Sequence, residues 1–83
     1  MKTITYKPAA LKVLRKMPRT ESKRITDKIA QFAEDPASLA NNVKALKGRE
    51  GIRLRVGDWR VIMDDQGDVL DVLKIGPRGG VYD

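Results

Sequence analysis

Arginine at positions 53, 55 and 60 is the arrangement in this chain best suited to chemistry. In Arg53-Leu-Arg-Val-Gly-Asp-Trp-Arg-Val-Ile-Met63, apolar residues alternate with arginines, break at Gly57-Asp58, and alternate again. This predicts a β-hairpin with a two-residue turn, Gly57 taking the first central position of a type II′ turn, where φ is positive. The register follows: Val56 opposite Trp59, Arg55 opposite Arg60, Leu54 opposite Val61, Arg53 opposite Ile62. Side chains alternate between faces, so Arg53, Arg55 and Arg60 share one side, and Ile52, Leu54, Val56, Trp59, Val61 and Met63 build a core on the other. Like charges directly opposite are destabilising, and a bound anion would relieve that cost. A solvated face with splayed arginines fits the same pattern, and the hairpin alone does not choose.

Arg78 and Tyr82, near the end of the chain, extend the candidate site. Guanidinium forks match phosphate geometry bidentately, and an exposed tyrosine can stack on a base. The set suits single-stranded RNA, for binding or for attack on a phosphodiester, with cationic donors stabilising the charge that develops on phosphate. Lys44, Lys47 and Arg49 precede the hairpin and, with Arg55, are candidate RNA or phosphate contacts. The bland readings are a frayed terminal tyrosine and a loop cation. Trp59, on the core face, reads as packing.

Composition removes the competing chemistries. The chain has 83 residues, no cysteine and no histidine. Disulfides, thiol nucleophiles and Ser-His-Asp arrangements are excluded, and with histidine goes the usual base near neutral pH. No glycine-rich strand-to-helix turn matches a nucleotide-binding signature. Asp64, Asp65, Asp68 and Asp71 are the only carboxylate cluster. Their spacing fits no EF-hand loop, and turn and strand-edge roles explain them more simply. We expect no cofactor and no metal. The net charge of +6 is uneven: residues 1–63 carry 15 basic and 6 acidic side chains, a balance of +9, and residues 64–83 carry 2 and 5, a balance of −3. A basic body favours a polyanion or an acidic protein partner. No signal peptide and no membrane-length apolar run is evident, so the expectation is a soluble, cytoplasmic protein.

The elements that must position these side chains read as one domain, 1–83. Such a domain buries roughly 60% of the surface its unfolded chain exposes. Lys2–Tyr6 alternates as a short strand with Ile4 and Tyr6 on one face. Pro8 suits a first helical turn, Ala10, Val13, Leu14 and Met17 form one apolar stripe, and Pro18 ends that helix. Thr20 is the expected N-cap of a second helix with Ile25, Ile29, Phe32 and Ala33 as its stripe, closed by Asp35-Pro36. The short link implies an antiparallel helical hairpin. Residues 36–51 read as a solvated connector, with room for a helical turn in 38–45. After the hairpin strands, Ile52–Val56 and Trp59–Asp64, a turn at 65–68 leads to a last strand, Val69–Ile75, which Gly76-Pro77 should end. The order β-α-α-β-β-β predicts an α+β domain, an antiparallel sheet with the helices on its Leu54/Trp59/Val61 face and the arginine face partly open.

Leu46-Lys-Gly48, the run 52–62, and Ile75-Gly-Pro-Arg-Gly-Gly-Val-Tyr82, in this order and spacing, resemble the RelE/ParE superfamily of bacterial and archaeal toxins. The resemblance covers nearly the whole chain and implies a RelE-like fold and the toxin of a type II toxin–antitoxin pair. It implies a ribosome-dependent endoribonuclease (an mRNA interferase) that blocks translation by cleaving messenger RNA in the A site, with 16S rRNA contacts. The 2′-hydroxyl would attack the adjacent phosphate without a metal, leaving a 2′,3′-cyclic phosphate and a 5′-hydroxyl. A cognate antitoxin would wrap the toxin in a hetero-oligomer, its helix on an apolar groove and its acidic residues against the arginines.

By position in the motifs, the resemblance makes Arg60 the phosphate-stabilising arginine, Arg78 the one assigned to protonating the leaving group, and Tyr82 the base-stacking tyrosine. Arg53 and Arg55 match basic positions on the preceding strand. Two positions depart from the pattern. Gly51 stands where a lysine is usual, and an arginine at 53 is a poor base because a guanidinium does not give up its proton in proteins, so the general base is unassigned among Lys44, Lys47 and a ribosomal group. Pro77 stands before Arg78 where many relatives have histidine. Two further readings stay open: a ParE-like inhibitor of DNA gyrase without a nuclease site, and an inactive RNA- or partner-binding relative.

Overall fold

The computed structural model describes residues 2–46 and 51–77. The element order is β1 (Thr3–Tyr6), α1 (Pro8–Lys16), α2 (Arg19–Glu34), a 3₁₀ segment (Pro36–Asn42), β2 (Val43–Ala45), β3 (Ile52–Val56), β4 (Trp59–Asp65) and β5 (Val69–Pro77). The five strands form one mixed sheet ordered β1-β5-β4-β3-β2, with β1 parallel to β5 and every other pair antiparallel.

Pro8 occupies the first turn of α1, where its missing N–H costs nothing, and Arg15 and Lys16 lie in the last turn, where cations meet the negative end of the helix dipole. The expected cap at Thr20 is not the start of α2. That helix begins at Arg19 directly after Pro18, with no side-chain cap, and the Pro18 carbonyl accepts from the Glu21 and Ser22 N–H groups. Proline, already fixed in φ, sets the helix entry two residues earlier than a threonine cap at 20 would.

The apolar stripes of both helices meet one face of the sheet. Ala10, Leu14 and Met17 of the first stripe and Ile25, Ile29, Phe32 and Ala33 of the second join Leu54, Val56, Val61, Met63, Leu70, Val72 and Ile75 in a single buried cluster. Ile4, Tyr6, Val13, Ile52 and Trp59 pack against it half-buried. Burial raises the Tyr6 phenol above its ordinary pKa. Trp59 is thus a core residue, as its position in the alternation requires.

Residues 36–46 are more than the connector expected. Leu39, where the 3₁₀ segment kinks, is buried, and Val43–Ala45 forms an edge strand paired with β3. Three residues with one apolar side chain facing the core are too few to show a period, and the strand exists because β3 offers a free edge. The last strand also runs past its expected end: β5 continues through Gly76 to Pro77, paired with Trp59. Beyond Val72 it has only β4 as a hydrogen-bonded neighbour, since β1 stops at Tyr6, so proline's missing N–H breaks no ladder on the other side.

Candidate functional site

The hairpin pairs in the register expected: Val56 with Trp59, Arg55 with Arg60, Leu54 with Val61 and Arg53 with Ile62. Gly57 has φ +60° and Asp58 is not in the positive-φ region, the signature of a type II′ rather than a type I′ turn. A Cβ at Gly57 would also lie 3.1 Å from the Arg24 guanidinium nitrogens, so a side chain there would have to displace the end of Arg24 as well as adopt the positive φ.

The face turned away from the helices carries the site. Arg53, Arg55 and Arg60 share it, and Lys44, directly opposite Arg53 across the β2–β3 pair, joins them. Together with Asn41 and Asn42 at the end of the 3₁₀ segment, these four cations line one cleft. Arg60 is half-buried and tethered: its Nη1 donates to the Trp59 carbonyl at 3.1 Å and the Gly57 carbonyl at 3.3 Å. Among the described residues the ion pairs are Lys2–Asp65 (2.8 Å), Lys7–Asp71 (3.3 Å) and Lys23–Asp27 (2.9 Å), so none neutralises the cleft. Four cations with no carboxylate beside them among the described residues suit an anion, and three guanidinium forks suit phosphate better than a diffuse counter-ion.

Further along the same face the character changes. Ile62 is fully buried against Leu46, and Leu73 packs on the pair. A β-bulge between Ile62 and Met63 leaves Leu73 without a partner of its own and puts Lys74 opposite Ile62. Beyond this apolar patch, Asp64 and Asp71 face each other across β4 and β5. Asp71 accepts from Thr5 Oγ1 at 2.9 Å and pairs with Lys7, and Asp65 accepts from Lys2, so these carboxylates serve strand edges and the turn. Among the described residues no group of three carboxylates is placed to hold a metal ion.

Of the residues singled out in the sequence, the fold brings Lys44, Arg53, Arg55 and Arg60 together. Lys47, Arg49, Arg78 and Tyr82 lie outside the described residues. The strand leading to Arg78 ends beside the site, with Gly76 opposite Arg60. Asn41 and Asn42 are additions that the sequence reading took only as loop punctuation. Their role depends on β2, whose pairing carries no local signal.

Comparison with known proteins agrees with this architecture. No curated protein matches the sequence. A chain of the archaeal RelE–RelB complex from Pyrococcus horikoshii is 24% identical, with a TM-score of 0.77 over 96% of this chain and 98% of that one. A chain of the RelB–RelE antitoxin–toxin complex of Methanococcus jannaschii is 24% identical, at 0.74 over 95% of each. A chain of the intact E. coli RelBE toxin–antitoxin complex, also 24% identical, gives 0.69 over 93% of this chain and 96% of that one. At such identities the likeness establishes a RelE-like fold. The family model for the ParE toxin of the type II toxin–antitoxin system parDE matches residues 4–82. With that match spanning both helices, the whole sheet and the basic cleft, the chain belongs to the ParE toxin family of type II toxin–antitoxin systems, within the RelE/ParE superfamily.

Proposed function

We propose that this toxin is a ribosome-dependent endoribonuclease that cleaves messenger RNA by attack of a 2′-hydroxyl on the adjacent phosphate. The observation that carries the proposal is the cleft of Lys44, Arg53, Arg55 and Arg60, which has no carboxylate partner among the described residues. In the reaction the O2′–P bond forms and the P–O5′ bond breaks. The O2′ proton leaves to a base and a proton reaches O5′, giving a 2′,3′-cyclic phosphate and a 5′-hydroxyl. Negative charge grows on the non-bridging oxygens, and Arg60, tethered at the turn, is oriented before substrate arrives, so little reorganisation is needed in the transition state. Arg53 and Arg55 hold the backbone on either side. By the resemblance, Arg78 protonates the leaving oxygen and Tyr82 stacks on a base.

The antitoxin occupies the toxin in this reading. An apolar groove on the helices, with Leu11, Leu14 and Met17 rimmed by Arg15 and Arg19, suits an amphipathic antitoxin helix, and antitoxin carboxylates suit the cleft. Primer extension on message from cells expressing the toxin tests the nuclease. We expect cuts on translated message that disappear in Arg60→Ala. The family model's description favours a second reading, inhibition of DNA gyrase by binding. Gyrase-dependent DNA damage with intact message would establish that reading and remove the first.

A further inference from the structure

We infer that Lys44 is the base that takes the 2′-hydroxyl proton, a role that rests on the RNA-cleavage reading above. The reaction needs a side chain at the cleft that can release a proton and regain it. Among the described residues, six line the cleft: Asn41, Asn42, Lys44, Arg53, Arg55 and Arg60. Amides do not titrate and a guanidinium does not give up its proton in proteins, whereas an ammonium can release and regain one. Lysine is also the cationic side chain that recurs as a base in enzymes. Of the six, Lys44 alone can do the work.

Its place on the sheet fits the stereochemistry. Nucleophile and leaving group lie on opposite sides of phosphorus in a displacement of this kind. Lys44 stands on the edge strand β2, directly opposite Arg53, with Arg55 as its diagonal neighbour. Arg60 lies two strands away on β4, roughly 10 Å at the strand spacing. A phosphate held by the arginines would have the Lys44 amine on its β2 side and, on its β4 side, the end of β5, Gly76–Pro77, which precedes Arg78 in the chain. The register that aims Lys44 outward is held at both ends: Val43 packs on the core, and the Leu46 N–H donates to the Gly51 carbonyl at 3.2 Å. A slip of one residue would turn Lys44 toward the core.

The start of β3 cannot supply an amine instead. Gly51 has φ +119°, and a Cβ there would meet Leu46 Cδ1 and the Met63 carbonyl oxygen, each at 3.0 Å. A lysine at 51 would be strained at that φ and crowded by Leu46 and the Met63 carbonyl, Ile52 faces the core, and position 53 is arginine. The carboxylates of β4 are distant: Asp64 is four residues beyond Arg60, about 13 Å along the strand. Lys74 shares the open face but lies beside the Leu46/Ile62/Leu73 patch and does not line the cleft.

Single-turnover cleavage of message on programmed ribosomes, measured across pH, tests the assignment. Lys44→Met and Lys44→Arg should cut the rate by about 10²–10⁴-fold, as loss of a general base does. The wild-type rate should rise with pH; in Lys44→Arg ribosome binding should survive while that rise is lost. Lys74→Met should cleave near the wild-type rate. The chain has no cysteine, so Lys44→Cys can be aminoethylated at one site. Return of cleavage on that treatment would distinguish a missing amine from a damaged fold. A Lys44→Arg protein with the wild-type rate and pH profile overturns the assignment, and so does loss of pH dependence in Lys47→Met with Lys44→Arg unaffected. Inactive Arg60→Ala beside such results would leave the nuclease reading standing, whereas a wild-type protein that never cleaves removes both.

Discussion

Arg60 is held by the turn that its own hairpin makes: its Nη1 donates to the Gly57 carbonyl at 3.3 Å, across the type II′ turn, and to the Trp59 carbonyl at 3.1 Å. Its cross-strand neighbour Arg55 is exposed and has no carboxylate partner among the described residues. The pair thus combines an oriented fork with an exposed cation on one sheet face. An arginine fixed before substrate binds gives more to a transition state than one that must be ordered during the reaction.

Replacing Arg60 separates charge from geometry. Arg60→Ala should lower cleavage by about 10²–10³-fold, the usual loss for one donor to a developing oxyanion. Arg60→Lys keeps the charge but loses the fork and should recover only a small part. Thermal unfolding of both variants should stay near wild type, because the side chain is half-buried and its bonds to carbonyls are replaceable by water. A large fall in stability would place Arg60 in the fold rather than the site.

The glycines at positive φ should rank by space. Gly51→Ala combines strain at φ +119° with contacts of 3.0 Å to Leu46 and to the Met63 carbonyl, and should cost about 1–3 kcal/mol or more. Gly57→Ala meets the movable Arg24 guanidinium at 3.1 Å and should cost less. Gly67→Ala, at φ +87° with nothing within 4 Å, bears backbone strain alone and should cost least. Urea denaturation of the three variants checks the order.

The Lys2–Asp65 pair gives stability a pH dependence. The Lys2 hydrogen bond, aided by the Gly67 N–H, holds the Asp65 carboxyl below its ordinary value. A group lowered in the folded state contributes fully above its unfolded pKa and loses that contribution as pH falls through the folded one. The pair is solvent-accessible, so its effect should be roughly 0.2–1 kcal/mol. Lys2→Met should destabilise the protein slightly at neutral pH and flatten the acid limb of its stability curve, and an unchanged limb would show that the pair contributes nothing.

Asp71 should behave as a structural carboxylate. It is 8% exposed and held by Thr5 and Lys7 at the β1–β5 junction. Asp71→Ala should cost about 1–3 kcal/mol by removing a charge-assisted bond between the first and last strands. Cleavage per folded molecule should stay as in wild type, and added magnesium should change nothing. Loss of cleavage in a stably folded Asp71→Ala protein would call for a different site.

Much of the fold was legible because it depends on local order. The alternation at 52–63 and the Gly57-Asp58 break determined the hairpin, its register and the shared face of Arg53, Arg55 and Arg60. The helical stripes named Ala10, Leu14, Ile25, Ile29 and Phe32 as core, and Pro8 marked a helix start. These are matters of period and of residues with few backbone options. The start of α2 at Arg19 and the run of β5 through Pro77 were not legible, since each depends on what a neighbouring element leaves open. Nor was β2, a strand of three residues that exists only because β3 has a free edge. That edge strand brings Lys44 to Arg53 across the eight residues between them in sequence, and the positive φ at Gly51, with Leu46 and the Met63 carbonyl close by, disfavours any side chain at the start of β3. The sequence by itself determined which side chains form the arginine face. Only the tertiary structure decided that a lysine stands among them, because pairing between distant strands carries no mark in the residues that pair.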